Sequence, residues 1–211
     1  LTDWRLLHER GSFFAPRDYA GVPTVVFCRV DEPLLVLGST QAAVPYRGVE
    51  VVRRRSGGGA VLVSPESVVW VDVFVPAGHE LWEEDVRRAF WWLGDAWAGA
   101  LAALGVAGVA GGVNVHRGPL VTTAWSSLVC FAGLGPGEVT VDGRKVVGMA
   151  QRRTREGALF QCALALTWEP ERLAQLLALG ADAVAQLADV VGPVGPQRAD
   201  DAMVALLDHL P

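Results

Sequence analysis

The stretch Glu138-Val139-Thr140-Val141-Asp142-Gly143-Arg144-Lys145-Val146-Val147-Gly148-Met149-Ala150-Gln151-Arg152-Arg153 decides how the chain is read. Its first half is a β-hairpin. Alternating Val139-Thr140-Val141 runs into Asp142-Gly143, a pair suited to the φ > 0 turn that joins antiparallel strands. In that register Thr140 faces Lys145, with Glu138 and Val147 on the same face. Val139, Val141, Arg144 and Val146 take the other face. Lys145 is the only lysine among 18 basic residues. An ammonium is a compact point charge that a guanidinium does not imitate, suited to holding one oxygen. The plainer alternative is a solvated hairpin charge that happens to be lysine.

The bulk of the chain narrows the classes around this hairpin. With 211 residues, 51% of them hydrophobic and 19% charged, it has apolar material for a sizeable core. One domain over 1–211 is expected, since neither repeats nor a linker-like shift in composition divides it. A net charge of −5 argues against a general nucleic-acid or anionic-membrane binder. Cys28, Cys130 and Cys162 are widely spaced, with neither a CxxC nor a Cys/His metal pattern. Free thiols in a reducing, cytoplasmic compartment are expected, and no metal site. Ala96 to Val113 is uncharged, yet its glycines read as a core helix followed by a Gly-rich connection, not a membrane span.

Strands are expected at Thr24–Val30, Leu34–Leu37 and Val49–Arg53, from Val61, and at Ser67–Val75, Val113–Val115 and Ala158–Leu166. Gly38-Ser39-Thr40-Gln41 is a polar turn, either ligand-facing or plain turn chemistry. Asp72 interrupts an otherwise apolar strand, so it is hydrogen-bonded or on a wet face. Glu83-Glu84-Asp85 opens a helix carrying Val86, Phe90, Leu93, Trp97, Leu101 and Leu104, with Gly105 as its stop. Helix is also expected from Pro170 to Val190 and from Ala199 to Leu210. Trp4-Arg5-Leu6-Leu7 reads as a docking segment and 16–21 as a loop, while Trp91, Trp92 and Trp97 hint at a partner surface.

Two groups carry candidate chemistry besides Lys145. In Arg53-Arg54-Arg55-Ser56-Gly57-Gly58-Gly59-Ala60, glycines allow close backbone approach and arginines supply charge for a phosphate or carboxylate. It is not a Walker loop, because a strand follows it and no Gly-Lys-Ser/Thr occurs. Cys130, at the rim of a second Gly-rich loop, is a candidate thiolate nucleophile or a small buried hydrophobe.

Arg53 to Val61 resembles the RRxSGGGAV signature of lipoate–protein ligases and their octanoyltransferase relatives, in the biotin/lipoyl protein ligase superfamily. Gly143 to Arg153 resembles that family's GRKxxGxAQRR, and the likeness spans roughly 23–170. The resemblance implies an α+β fold, a mixed and largely antiparallel sheet with flanking helices. It places the ligand in a tunnel between the Gly-rich loop and the lysine strand. Lys145 would hold the acyl carbonyl, Arg54 and Ser56, Gly57, Gly58 and Gly59 would line the acyl group and any adenylate phosphate, and Gly148 and Ala150 would line the same site.

Ser127-Leu128-Val129-Cys130-Phe131 is similar to the SSVCF segment of cysteine-dependent octanoyltransferases. That likeness implies an octanoyl or lipoyl group passed from acyl carrier protein to Cys130 and then to a lysine of a lipoyl domain. The acceptor would belong to a 2-oxoacid dehydrogenase complex or a glycine cleavage protein, with no cofactor required. ATP-dependent ligation through an acyl-adenylate, with ATP and Mg, is the second reading, and a non-catalytic acyl-binding homologue the third. Many ligases carry a C-terminal accessory domain, for which the last roughly 40 residues here leave no room. The chain departs from the family where His-Asp is usual, with Val63-Ser64, and where His-Gly is usual, with Cys162-Ala163. The family's N-terminal helix is not recognisable. Lys145 or Arg152-Arg153 would then have to serve as the cation beside Cys130.

Overall fold

The computed structural model describes residues 5–10 as backbone, and 21–42, 48–106, 108–109 and 112–211 in full. Among the described residues ten strands form two sheets: β1 (Arg5–Arg10), β2 (Thr24–Arg29), β3 (Leu34–Leu37), β4 (Glu50–Arg53), β5 (Val61–Val63), β6 (Val68–Pro76), β7 (Val113–Val115), β8 (Val139–Val141), β9 (Arg144–Arg153) and β10 (Gly157–Ala165). The larger sheet runs β1-β2-β6-β10-β9-β8-β7, antiparallel except for the β1–β2 pair, and the smaller runs β4-β3-β5 with β3 and β4 parallel. Flanking them are α1 (Trp91–Ala103), α2 (Pro170–Leu176), α3 (Ala181–Leu187) and α4 (Ala199–His209). This is the mixed, largely antiparallel α+β arrangement expected.

Strand alternation sorts the side chains into three apolar layers. Val71 and Val73 of β6, Met149 of β9 and Phe160 and Leu164 of β10 point to one face, covered by α1 and α4. Val26, Trp70, Phe74 and Ala163 point to the other and meet Val36, Val61 and Val63 of the small sheet. Beyond the small sheet, Leu35, Leu37 and Leu62 pack on Leu173, Ala183 and Leu187 of α2 and α3. β6 and β10 are buried on both faces, hence their nearly unbroken apolar sequences.

The structure moves several expected boundaries. α1 starts at Trp91 rather than at the acidic run, because Asp85 closes a separate turn by accepting the N–H groups of Arg87 and Arg88 at 2.8 and 3.2 Å. Those bonds hold the Asp85 carboxyl below its ordinary range. Val86 is exposed in consequence, while α1 ends just before Gly105 as expected. The helix expected over 170–190 is two helices, parted where Ala178 takes a positive φ of 53°. Trp97, read as partner surface, is fully buried in the layer between the large sheet and its helices, and Trp92 packs edge-on against Phe160. Arg5 to Arg10 is a strand rather than a docking segment, while Trp4 and most of the loop expected over 16–21 lie outside the described residues. Among the described residues no helix is long and apolar enough to cross a membrane.

Candidate active site

The Gly-rich loop joins β4 to β5, so the small sheet presents it to the space between the sheets. Arg54 leaves the end of β4 and turns inward, 2% exposed. Its Nη2 donates to Gly57 O at 2.7 Å and Gly59 O at 2.8 Å, and its Nε to Gly57 O at 3.2 Å. The same Nη2 lies 4.0 Å from Cys130 Sγ. Among the described residues no carboxylate pairs with this buried guanidinium; backbone carbonyls and the sulfur are its partners. Arg53, by contrast, turns back to the Gly38 and Gln41 carbonyls and leaves the site.

Cys130 opens a short 3-10 turn (Cys130–Ala132) and is half-buried. Its backbone is tied to the loop through Cys130 N–H to Ala60 O at 3.0 Å and Ala60 N–H to Leu128 O at 2.7 Å. Gly59 is required there: a Cβ would fall 2.5 Å from Val129 C and 2.6 Å from Cys130 N, atoms of backbone that cannot turn aside. The Gly38–Gln41 turn supports the site from behind. Gln41 accepts the Gly38 N–H at 2.9 Å and donates to Leu128 O at 3.0 Å.

Lys145 comes from the other sheet. The hairpin turn is as read, with positive φ at Asp142 (50°) and Gly143 (79°), and Thr140 pairs with Lys145. Strict alternation fails one residue later, because the ladder resumes at Val139–Val147 and leaves Val146 as a β-bulge. Val147 therefore joins the core under the helices instead of sharing a face with Lys145. The bulge turns Lys145 onto the inter-sheet face, with Gly148. A Cβ on Gly148 would sit 3.2 Å from Lys145 Cε and 3.5 Å from Phe131 Cζ, so this glycine makes room for the lysine stem. Ala150 lies further along β9, half-buried and paired with Gln161.

Lys145 is 4% exposed. Its Nζ meets Glu138 Oε1 at 2.7 Å, Gly133 O at 2.9 Å and Cys130 O at 3.0 Å. The ammonium thus grips the backbone of the cysteine turn, and the cation at the thiol is Arg54. Arg152 and Arg153, the other expected neighbours, reach Arg55 O and the Glu83 and Glu84 carbonyls instead.

Two features escaped the sequence reading. Glu138 is one, and a carboxylate on the face of the chain's one lysine is the sequence signal that marks it. Ser56 donates to Gln161 Oε1 at 2.6 Å, and Gln161 Nε2 donates to Asp72 Oδ1 at 3.1 Å, which also takes the Trp70 indole N–H at 2.8 Å. Asp72 is accordingly buried and hydrogen-bonded. Cys162 stands apart from the site, under α1 on the opposite face of β10, where desolvation pushes its thiol well above the usual range. Val63 fills the inter-sheet layer. Neither supplies a base.

The chain belongs to the lipoyl protein ligase A/B catalytic domain family, matched over residues 12–209. Among curated relatives, the octanoyltransferase LipM of Moorella thermoacetica is 33% identical over 78% of this chain and 61% of its own length. The match thus spans less than two thirds of that relative. The LipM of Kyrpidia tusciae is 29% identical over 96% of this chain and 85% of its own. Among solved structures, the bipartite lipoate protein ligase of Thermoplasma acidophilum superposes with a TM-score of 0.73 at 17% identity, over 99% of this chain and 82% of that one. At that identity the likeness speaks for the fold.

Proposed function

We propose that this chain transfers an octanoyl or lipoyl group to a lysine of a lipoyl domain through a thioester on Cys130. The observation that carries the reading is the half-buried thiol 4.0 Å from Arg54 Nη2, a cation with no carboxylate partner among the described residues. Such a cation stands where negative charge would develop on the sulfur during transfer. The sulfur attacks the donor's thioester carbonyl; its C–S bond forms as the donor's breaks, and the departing thiolate takes the proton that Cys130 gave up. The acceptor amine then attacks the new thioester, an amide C–N bond forms, and the amine proton goes to the released Cys130 sulfur. Arg54, Ser56 and the glycines 57–59 form one wall of the acyl site, with Lys145, Gly148 and Ala150 the other. The curated relatives are named octanoyltransferases, which supports transfer from a thioester donor such as acyl carrier protein. A solved neighbour is described together with its E2 lipoyl domain, which supports that acceptor class. Three free thiols fit a reducing, cytoplasmic setting.

The test is intact-protein mass spectrometry after incubation with octanoyl–acyl carrier protein, beside a sample given ATP, Mg and octanoate. A hydroxylamine-labile octanoyl adduct on Cys130, lost in Cys130→Ser, is expected from the carrier alone. Acyl-adenylate from the second sample with no adduct in the first would make the chain a ligase. Silence in both would leave an acyl-binding homologue.

A further inference from the structure

We infer that Glu138 is a positioning residue for acyl transfer, acting through Lys145; the inference rests on the thioester reading above. A lysine ammonium has three N–H donors. All three are engaged here, by Glu138 Oε1, Gly133 O and Cys130 O. An acyl carbonyl reaches Nζ only by replacing one of these acceptors. The carboxylate alone carries a full opposite charge and makes the shortest of the three contacts, so a backbone carbonyl is the partner that yields. Those two carbonyls belong to Cys130 itself and to the residue just after its turn. Exchange at Lys145 and placement of the nucleophile are therefore one event, and Glu138 keeps the ammonium in register while it happens.

Glu138 is itself held. Its Oε2 accepts the Gly135 N–H at 2.5 Å and its Oε1 the Met149 N–H at 2.9 Å. The Met149 donor is available because the β8–β9 ladder stops at Val139–Val147, and the carboxylate takes over where the pairing ends. One buried side chain thus fastens the loop after Cys130, the strand beyond the bulge and the ammonium. It touches no reacting atom in this arrangement.

The experiment measures single-turnover octanoylation of Cys130 from octanoyl–acyl carrier protein across donor concentrations, with iodoacetamide labelling counting competent thiols. Glu138→Gln is expected to lower the saturating rate by about 10- to 100-fold, as a small misplacement does. The half-saturating donor concentration should stay within about 3-fold, with Glu138→Asp falling between. On a Lys145→Met background, Glu138→Gln should change the rate by less than about 3-fold, since its effect passes through Lys145. A folded Glu138→Gln at wild-type rate overturns the inference, as does a loss that persists undiminished without Lys145. If Lys145→Met leaves no rate to compare, a rise in half-saturation with the saturating rate intact overturns it instead. If Glu138→Gln does not fold, Glu138→Asp carries the same test. Wild-type protein that takes no acyl group from the carrier refutes the function and not the role of Glu138, so the two failures are distinct.

Discussion

At the scale of single residues, the site separates three cysteines of one chemical kind. Cys130 is half-buried beside a guanidinium, while Cys28 and Cys162 lie in apolar layers. Brief iodoacetamide treatment of the native protein should label Cys130 alone, and all three after unfolding, as read by peptide mass spectrometry. Cys162 also sets a pH dependence. Burial keeps its thiol protonated beyond 9.0, the value at which an unfolded cysteine ionises, so its contribution to stability is complete below that point and falls as pH rises past it. The urea midpoint should drop between about pH 8 and pH 10, and drop less in Cys162→Ala. Gln161 is the other decisive side chain. Truncation to Ala strands both the Ser56 hydroxyl and an acceptor site on Asp72, for an expected loss of about 1–3 kcal/mol in urea unfolding.

At the scale of elements, the β9 bulge decides where the lysine points. Deleting Val146 restores a regular ladder and turns Lys145 toward the helix-covered core, which should cost about 3–5 kcal/mol and abolish the thioester adduct. Val146→Ala preserves the count, so it should cost about 2 kcal/mol and leave the adduct in place. Most of the strands and the hairpin turn were legible, since alternation, Asp142-Gly143 and the glycine run are local signals. The bulge was not: nothing in Lys145-Val146-Val147-Gly148 distinguishes the residue that drops out of the pairing. The same limit hid Arg54 as the thiol's neighbour. Which of three consecutive arginines turns inward is settled by the carbonyls of Gly57 and Gly59 and by the Cys130 sulfur, the last far away in sequence. Gly59→Ala probes that junction; a Cβ pressed on the Cys130 backbone should cost about 1–3 kcal/mol and slow acylation by at least about 10-fold.

At the scale of the molecule, the candidate groups come from different layers: Arg54 from the small sheet, Lys145 and Glu138 from the large one, and Cys130 from a turn laced to both. The double burial of β6 and β10 makes them the expected slowest-exchanging amides in hydrogen-exchange mass spectrometry, with the small sheet's outer strand β4 faster. Composition announced a substantial core, but not its division into three layers, because the face assignment of every strand depends on partners distant in sequence. The lacing of the cysteine turn has a consequence for the chain's life before it is finished. Until the turn is laced to the glycine loop and Lys145 has reached it from the large sheet, the thiol has no cation at its side and no fixed backbone beneath it. On the proposed thioester route a half-folded chain is thus a poor acyl thief, and the number of molecules that take up an acyl group would be a census of those that have completed folding.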